Sequence, residues 1–188
     1  CMGDIGTHAF NLVEYITGLK AIELCAELNT FVPGRLLDDD GAMLIRYEGD
    51  AKGVLTASQI AVGEENALKI RIYGTKGGLE WCQEEPNTMW MKWPDRPREM
   101  IRTSNGYMSE MAAHNSRTPG GHPEGYIEAF ANIYRNFALT LQAMKEGKEP
   151  SSLCLDFPSV QEGVRGMQFI ETVVASSNSD KKWVKMVD

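Results

Sequence analysis

Asp4, His8, Asn11 and Tyr15 stand four, three and four residues apart, a spacing that puts their side chains on one stripe of a helix. A carboxylate and an imidazole one turn apart can act together on a substrate hydroxyl. The imidazole moves the proton near neutral pH, while the carboxylate orients the substrate or favours the charged imidazole. The same spacing also suits a helix-start Asp paired with its i+4 His for stability alone. Spacing by itself leaves both readings open.

The element that must carry these groups is a helix from Gly3, closed by Gly18, since glycine suits the left-handed residue after a helix end. Ile5, Ala9, Leu12 and Ile16 form a neighbouring apolar stripe, the expected core face. The chain opens inside this motif, at Cys1-Met2-Gly3, and so reads as a fragment or a piece cut at a domain boundary.

After Gly18 the period becomes two. Ile22, Leu24, Ala26, Leu28 and Thr30 alternate with polar residues, which predicts a half-exposed strand over 21–31. Asp38-Asp39-Asp40-Gly41 reads as a solvated turn; a hard-cation loop would spread its ligands and end in Glu. Further strands are expected at 42–47, 53–61, 68–73, 79–83 and 88–93, with short connections that favour antiparallel neighbours. Trp81, Met89, Trp90, Met91 and Trp93 crowd together, as on a sheet face that another subunit covers or as in a core.

From 94 to 121 the pattern fades to loop, with a short helix near 107–115, and long connections of this kind are functional or disordered. The loop ends in His122, just before Pro123 at a helix entrance, where an imidazole suits a substrate contact. Glu124 and Tyr126 stand beside it, and His114 is a weaker candidate. Ile127, Phe130, Tyr134, Phe137, Leu141 and Met144 then predict a helix over 123–146 with that stripe in the core. Ser159-x-x-Glu162 is a capping-box start for a last helix, with Val160, Val164, Met167, Ile170 and Val174 inward. Residues 182–187 read as a final short strand.

The class is therefore α+β: an open, largely antiparallel sheet of about six strands with helices on one face. The 188 residues read as one domain, and 43% hydrophobic with 24% charged residues is ordinary for a globular protein. A formal charge of −7 argues against nucleic acid or an anionic membrane as partner. No run of ~18 apolar residues would span a bilayer. Cys1, Cys25, Cys82 and Cys154 are scattered, which predicts free thiols in a reducing cytoplasm and no metal site. There is no GxGxxG or Walker-type loop, so no dinucleotide is expected to be held by this chain.

Asp4-x-x-x-His8, the glycine-closed helix and the strands after it resemble the second domain of the Gfo/Idh/MocA family, that of glucose–fructose oxidoreductase and inositol dehydrogenase. Gly74-Thr75-Lys76-Gly77-Gly78-Leu79-Glu80 is similar to the family's hairpin signature, and a final helix followed by Trp183-Val184 to its ending. The resemblance covers nearly the whole chain. It implies a C-terminal domain like that of glyceraldehyde-3-phosphate dehydrogenase, with the N-terminal Rossmann domain missing. It further implies hydride transfer between a sugar, polyol or related carbinol and NAD or NADP in the full-length protein. His8 would be proton acceptor or donor, Asp4 would hold a hydroxyl, and Asn11, Tyr15, His122 and Tyr126 are candidate substrate contacts. Subunits would pair through the sheet face. The family's Glu-Lys-Pro-like lysine motif has no counterpart, since Lys148-Glu149-Pro150 has another order, so the isolated chain is expected to fold but to be inactive. Two alternatives stand beside this: an NAD-dependent glycosidase of the same family, and a non-catalytic ligand-binding or regulatory module.

Overall fold

The computed structural model describes residues 1–186; Val187, the end of the expected last strand, lies outside the described residues. The chain divides into two compact units, Cys1–Glu64 with Ser159 onward, and Glu65–Pro158. The elements are α+β, and among the described residues every strand pairing is antiparallel, as the short connections imply. The strands form two four-stranded sheets rather than one of about six.

In the first unit a π turn, Met2–Gly6, leads into α1, Thr7–Thr17. Strands β1 (Ala21–Asn29), β2 (Asp40–Tyr47) and β3 (Lys52–Ser58) form a meander. Helix α4 (Val160–Ser177) returns the chain to β8 (Val184–Lys185), giving the order β3-β2-β1-β8. The core joins Phe10, Leu24, Met43, Ile45, Leu55, Phe169 and Val173, with the Phe10 and Phe169 rings stacked at 4.2 Å. β8 covers only the start of β1. Beyond it, Ala26 and Leu28 donate their backbone N–H groups to the hydroxyls of Ser176 and Ser177 at 3.0 and 2.9 Å. Helix side chains thus satisfy donors that an open sheet edge would leave bare.

Three expectations change here. A bulge between Ala21 and Glu23 shifts the phase of β1, burying Ala21 and leaving Ile22 47% exposed. The π turn and α1 together bury Met2, Gly6, Phe10 and Glu14 most deeply, while Ile16 is exposed and Ile5, Ala9 and Leu12 are half-buried. Asp39 does not sit in a solvated turn. Its carboxylate is fully buried and accepts from the N–H groups of Phe31 and Val32 at 2.8 and 2.9 Å. The Phe31 bond, ahead of the Val32 bond and the Arg35 charge, holds that carboxyl below its ordinary range.

The second unit contains β4 (Lys69–Tyr73), β5 (Gly78–Cys82), β6 (Thr88–Lys92) and β7 (Glu99–Arg102), paired in chain order. β7 lies within the stretch expected to be loop. Helices α2 (Glu110–His114) and α3 (Tyr126–Lys145) and a 3-10 turn, Ser152–Leu155, complete it. Strand alternation separates the crowded aromatic and sulfur residues. Trp81, Met89 and Met91 share a face with the buried Ile70, and Trp90 lies on the other face beside Glu80 and Met100.

α3 is the main correction. Its expected inward stripe is exposed, with Ile127, Phe130 and Tyr134 at 77, 48 and 65%. The buried residues are Asn132, Asn136 and Thr140. Asn136 donates to Asn115 Oδ1 at 3.0 Å, Thr140 to the Cys154 carbonyl at 3.0 Å and Asn132 to the Asn115 carbonyl at 2.5 Å. α2 and the 3-10 turn offer fixed polar partners on that side, so the polar face packs inward. α4 likewise buries Phe169, Thr172, Val173 and Ser176, leaving Val160, Val164, Met167 and Val174 exposed and Ile170 half-buried. Its capping box forms as read: Ser159 Oγ accepts from Glu162 N–H at 3.2 Å, and Glu162 accepts from Ser159 N–H at 2.6 Å.

Candidate active site

The π turn before α1 is fixed from beneath. Met2 is buried against Gly41, where an added Cβ would lie 2.6 Å from the Met2 methyl and 2.7 Å from Leu28, so any side chain at 41 would push both side-chain ends aside. Asp4 leaves this turn exposed, and His8 lies exposed in the first turn of α1. A π turn holds more residues per turn than an α-helix, so Asp4 is rotated off the ideal stripe. Its Oδ2 accepts from Gln59 Nε2 at 3.1 Å. Among the described residues no ion pair joins Asp4 to His8, so the stabilising helix-start pair has no bond to rest on.

The far end of α1 closes at Gly18, whose φ is +69° and whose N–H donates to the Glu14 carbonyl at 2.9 Å. Sequence reasoning missed the charged clamp next to it. Buried Glu14 accepts from the Ala21 N–H at 2.9 Å, from Arg165 at 3.0 and 3.2 Å and from Lys20 at 3.0 Å. Burial pushes the Glu14 carboxyl up, but the bonds from Arg165, Ala21 and Lys20 outweigh it and hold the group below its ordinary value. Burial, with the nearby Glu14 charge, pushes the Tyr47 hydroxyl up to about 12. Asn11 and Tyr15 border a shallow pocket with Phe10, Glu14, Lys20 and Arg165. The four-residue stripe thus holds two environments: Asp4 and His8 at the helix start, Asn11 and Tyr15 at the Arg165 pocket.

His122 and Tyr126 belong to the second unit. His122 is exposed, with Nδ1 3.3 Å from the Pro119 carbonyl oxygen. Tyr126 opens α3, 71% exposed and stacked on Phe130 at 5.7 Å. Glu124 does not present a free carboxylate. It accepts from the Arg117 and Thr118 N–H groups and the Thr118 hydroxyl at 2.8, 2.7 and 2.9 Å, locking its own loop. His114 Nε2 lies 3.0 Å from Asn136 Oδ1 and 3.0 Å from Arg135 Nη1, inside the buried polar network. Among the described residues no three His, Cys, Asp or Glu side chains gather as metal ligands would, and no helix is long and apolar enough to cross a membrane.

A glycine-closed helix that presents Asp4 and His8, on an antiparallel α+β scaffold, defines the class. Residues 1–80 match the GFO/IDH/MocA C-terminal domain. Over that stretch the chain carries the family's C-terminal domain, and the relatives that match nearly its whole length are oxidoreductases. It is 31% identical to the uncharacterized oxidoreductase YfiI of Bacillus subtilis (strain 168), over 98% of this chain and 47% of that protein. An oxidoreductase from Sinorhizobium meliloti superposes with a TM-score of 0.92 at 43% identity, over 98% of this chain and 51% of that one. An inositol dehydrogenase homolog from Azotobacter vinelandii, solved with NADH and myo-inositol, superposes with a TM-score of 0.89 at 31% identity, over 97% and 48%. The chain spans about half the length of these relatives.

Proposed function

We propose that this chain is the substrate-binding and oligomerisation domain of an NAD(P)-dependent oxidoreductase acting on a sugar, polyol or related carbinol. The observation that carries the reading is the superposition on the inositol-bound relative, in a chain that exposes both Asp4, in the π turn, and His8, in the first turn of α1. His8 takes the hydroxyl proton during oxidation and returns it during reduction. Asp4, with Oδ2 held by Gln59, accepts the hydrogen bond of a substrate hydroxyl through Oδ1. Asn11 and Tyr15, on the same helix, are further hydroxyl contacts in this reading.

The glycine-rich turn at 74–78 closes on itself, Gly74 N–H donating to the Gly77 carbonyl at 2.8 Å between β4 and β5. It is a hairpin and no seat for a pyrophosphate. The dinucleotide, which gives or accepts the hydride when bound, is therefore assigned to the remainder of a longer cytoplasmic protein, and this chain alone is expected to be inactive. Subunits pair through the outer face of the second sheet. That face is already ordered by Arg98 stacked over Trp90 at 4.2 Å and by the Lys92–Glu80 ion pair.

The test is turnover by the full-length protein on a panel of polyols, sugars and their oxidised forms, followed by nicotinamide absorbance. Turnover that falls by about 10²–10⁴ in His8→Ala is the expected outcome, the usual worth of a positioned acid–base group. Sugar cleavage with no net nicotinamide reduction would instead mark a glycosidase, and ligand binding untouched by His8→Ala a non-catalytic module.

A further inference from the structure

We propose that Gln59 is a positioning residue for Asp4, holding one carboxylate oxygen so that the other faces the substrate; this rests on the oxidoreductase reading above. The two residues are 55 positions apart, and Gln59 Nε2 donates to Asp4 Oδ2 at 3.1 Å. Gln59 follows directly on β3, and its backbone is not free to drift. Its N–H donates to the Asp39 carbonyl at 2.8 Å. Asp39 is itself buried, and its side chain anchors the loop after β1 through the Phe31 and Val32 N–H groups. On the far side of Gln59, Ile60 N–H donates to the Ser58 hydroxyl at 3.3 Å. A line of hydrogen bonds therefore runs from a buried carboxylate, through the end of the sheet, to the exposed carboxylate of the candidate site.

The chemistry of the amide fits this task. A Lys or Arg at the same place would neutralise Asp4 and compete with a hydroxyl for both oxygens. A neutral amide donor fixes one oxygen, leaves the charge in place, and leaves Oδ1 with no hydrogen-bond partner among the described residues. A carboxylate on an exposed turn otherwise samples several rotamers, and a substrate hydroxyl bound to it would share that freedom. Fixing it ahead of binding is worth most in the transition state, where geometry is least forgiving.

The experiment compares Gln59→Ala, Gln59→Glu and Asp4→Asn in the full-length protein. Gln59→Ala is expected to lower kcat on the order of tenfold, with the dinucleotide KM and the melting temperature unmoved. Gln59→Glu keeps the shape but replaces the donor with a second carboxylate, and like charges at this distance repel. It is therefore expected to be worse than Gln59→Ala, and to lose that extra penalty when combined with Asp4→Asn. A merely structural role for an exposed side chain would leave kcat alone and tolerate the isosteric Glu. Wild-type kcat in Gln59→Ala, or Gln59→Glu as active as Gln59→Ala, overturns the proposal. Wild-type protein that turns over nothing overturns the oxidoreductase reading instead. The contact is then read from the Gln59 side-chain amide resonances, which shift in Asp4→Asn if it exists and stay put if the proposal is wrong.

Discussion

In the unit that carries α1, Phe10, Leu24, Ile45, Phe169 and Val173 meet in one continuous apolar core. In the unit that carries α3, the residues the long helix buries are Asn132, Asn136 and Thr140, and Ile70 is the one buried apolar side chain among the residues described there. The first arrangement is held by non-directional burial at native density, and it gives Asp4 and His8 a firm platform. The second is held by hydrogen bonds whose directions fix α3 against α2 and the 3-10 turn, with an aromatic stripe left outside. Apolar area exposed in a contiguous stripe marks a surface meant for a neighbour. The first unit closes on its own apolar core, while the second leaves its apolar stripe exposed.

The sharpest way to break this contrast is to empty the first core. Phe169→Ala removes the ring stacked on Phe10 and leaves a cavity no neighbour can fill. It is expected to cost about 3–5 kcal/mol, read from urea or thermal unfolding. A cost below about 1 kcal/mol would mean that the first unit relies on something other than its core.

Next in size is the clamp beneath the pocket. Arg165→Met strands the buried Glu14 carboxylate with only Lys20 and the Ala21 N–H. The expected loss is roughly 3 kcal/mol at neutral pH, the lower end for breaking a buried pair. The pH dependence has a definite sign. Glu14 is held below its ordinary value of 4.5 in the folded chain, so its bonds stabilise fully above that pH and the stabilisation is lost as pH falls through the folded value. Arg165→Met should flatten that acid limb of stability, since the Arg165 bond is the strongest force lowering the group. An unchanged acid limb would detach Glu14 from the clamp.

Local signals in the sequence carried much of this. Gly18 ends α1, Ser159 and Glu162 start α4, and period-two runs mark six of the eight strands because each depends on neighbours a few residues away. The candidate pair Asp4 and His8 was legible for the same reason. What escaped depends on partners far along the chain. Gln59 meets Asp4 across 55 positions and Arg165 meets Glu14 across 151, and neither leaves a local pattern. The bulge in β1 reversed which of Ala21 and Ile22 is buried. On α3 the period was right and the direction wrong. An apolar stripe at helical spacing looks the same whether it faces its own core or a neighbour, and only the polar partners opposite Asn132, Asn136 and Thr140 decide which.

The smallest expected effect therefore says most about the second unit. Phe130 lies mid-stripe, 48% exposed, between Tyr126 and Tyr134 at ring distances of 5.7 and 5.6 Å. In this chain by itself Phe130→Ser removes a ring that is already half in water. It should change unfolding stability by no more than about 0.5–1 kcal/mol, while reducing binding of a hydrophobic dye. Serine is also a weaker helix former than the residues around it, but by only a few tenths of a kcal/mol, too little to mask the comparison with Phe169→Ala. A loss several times larger that grows with protein concentration would show that the stripe is buried between copies. A large loss independent of concentration would put the ring in a monomer core, and the contrast between the two units would fall.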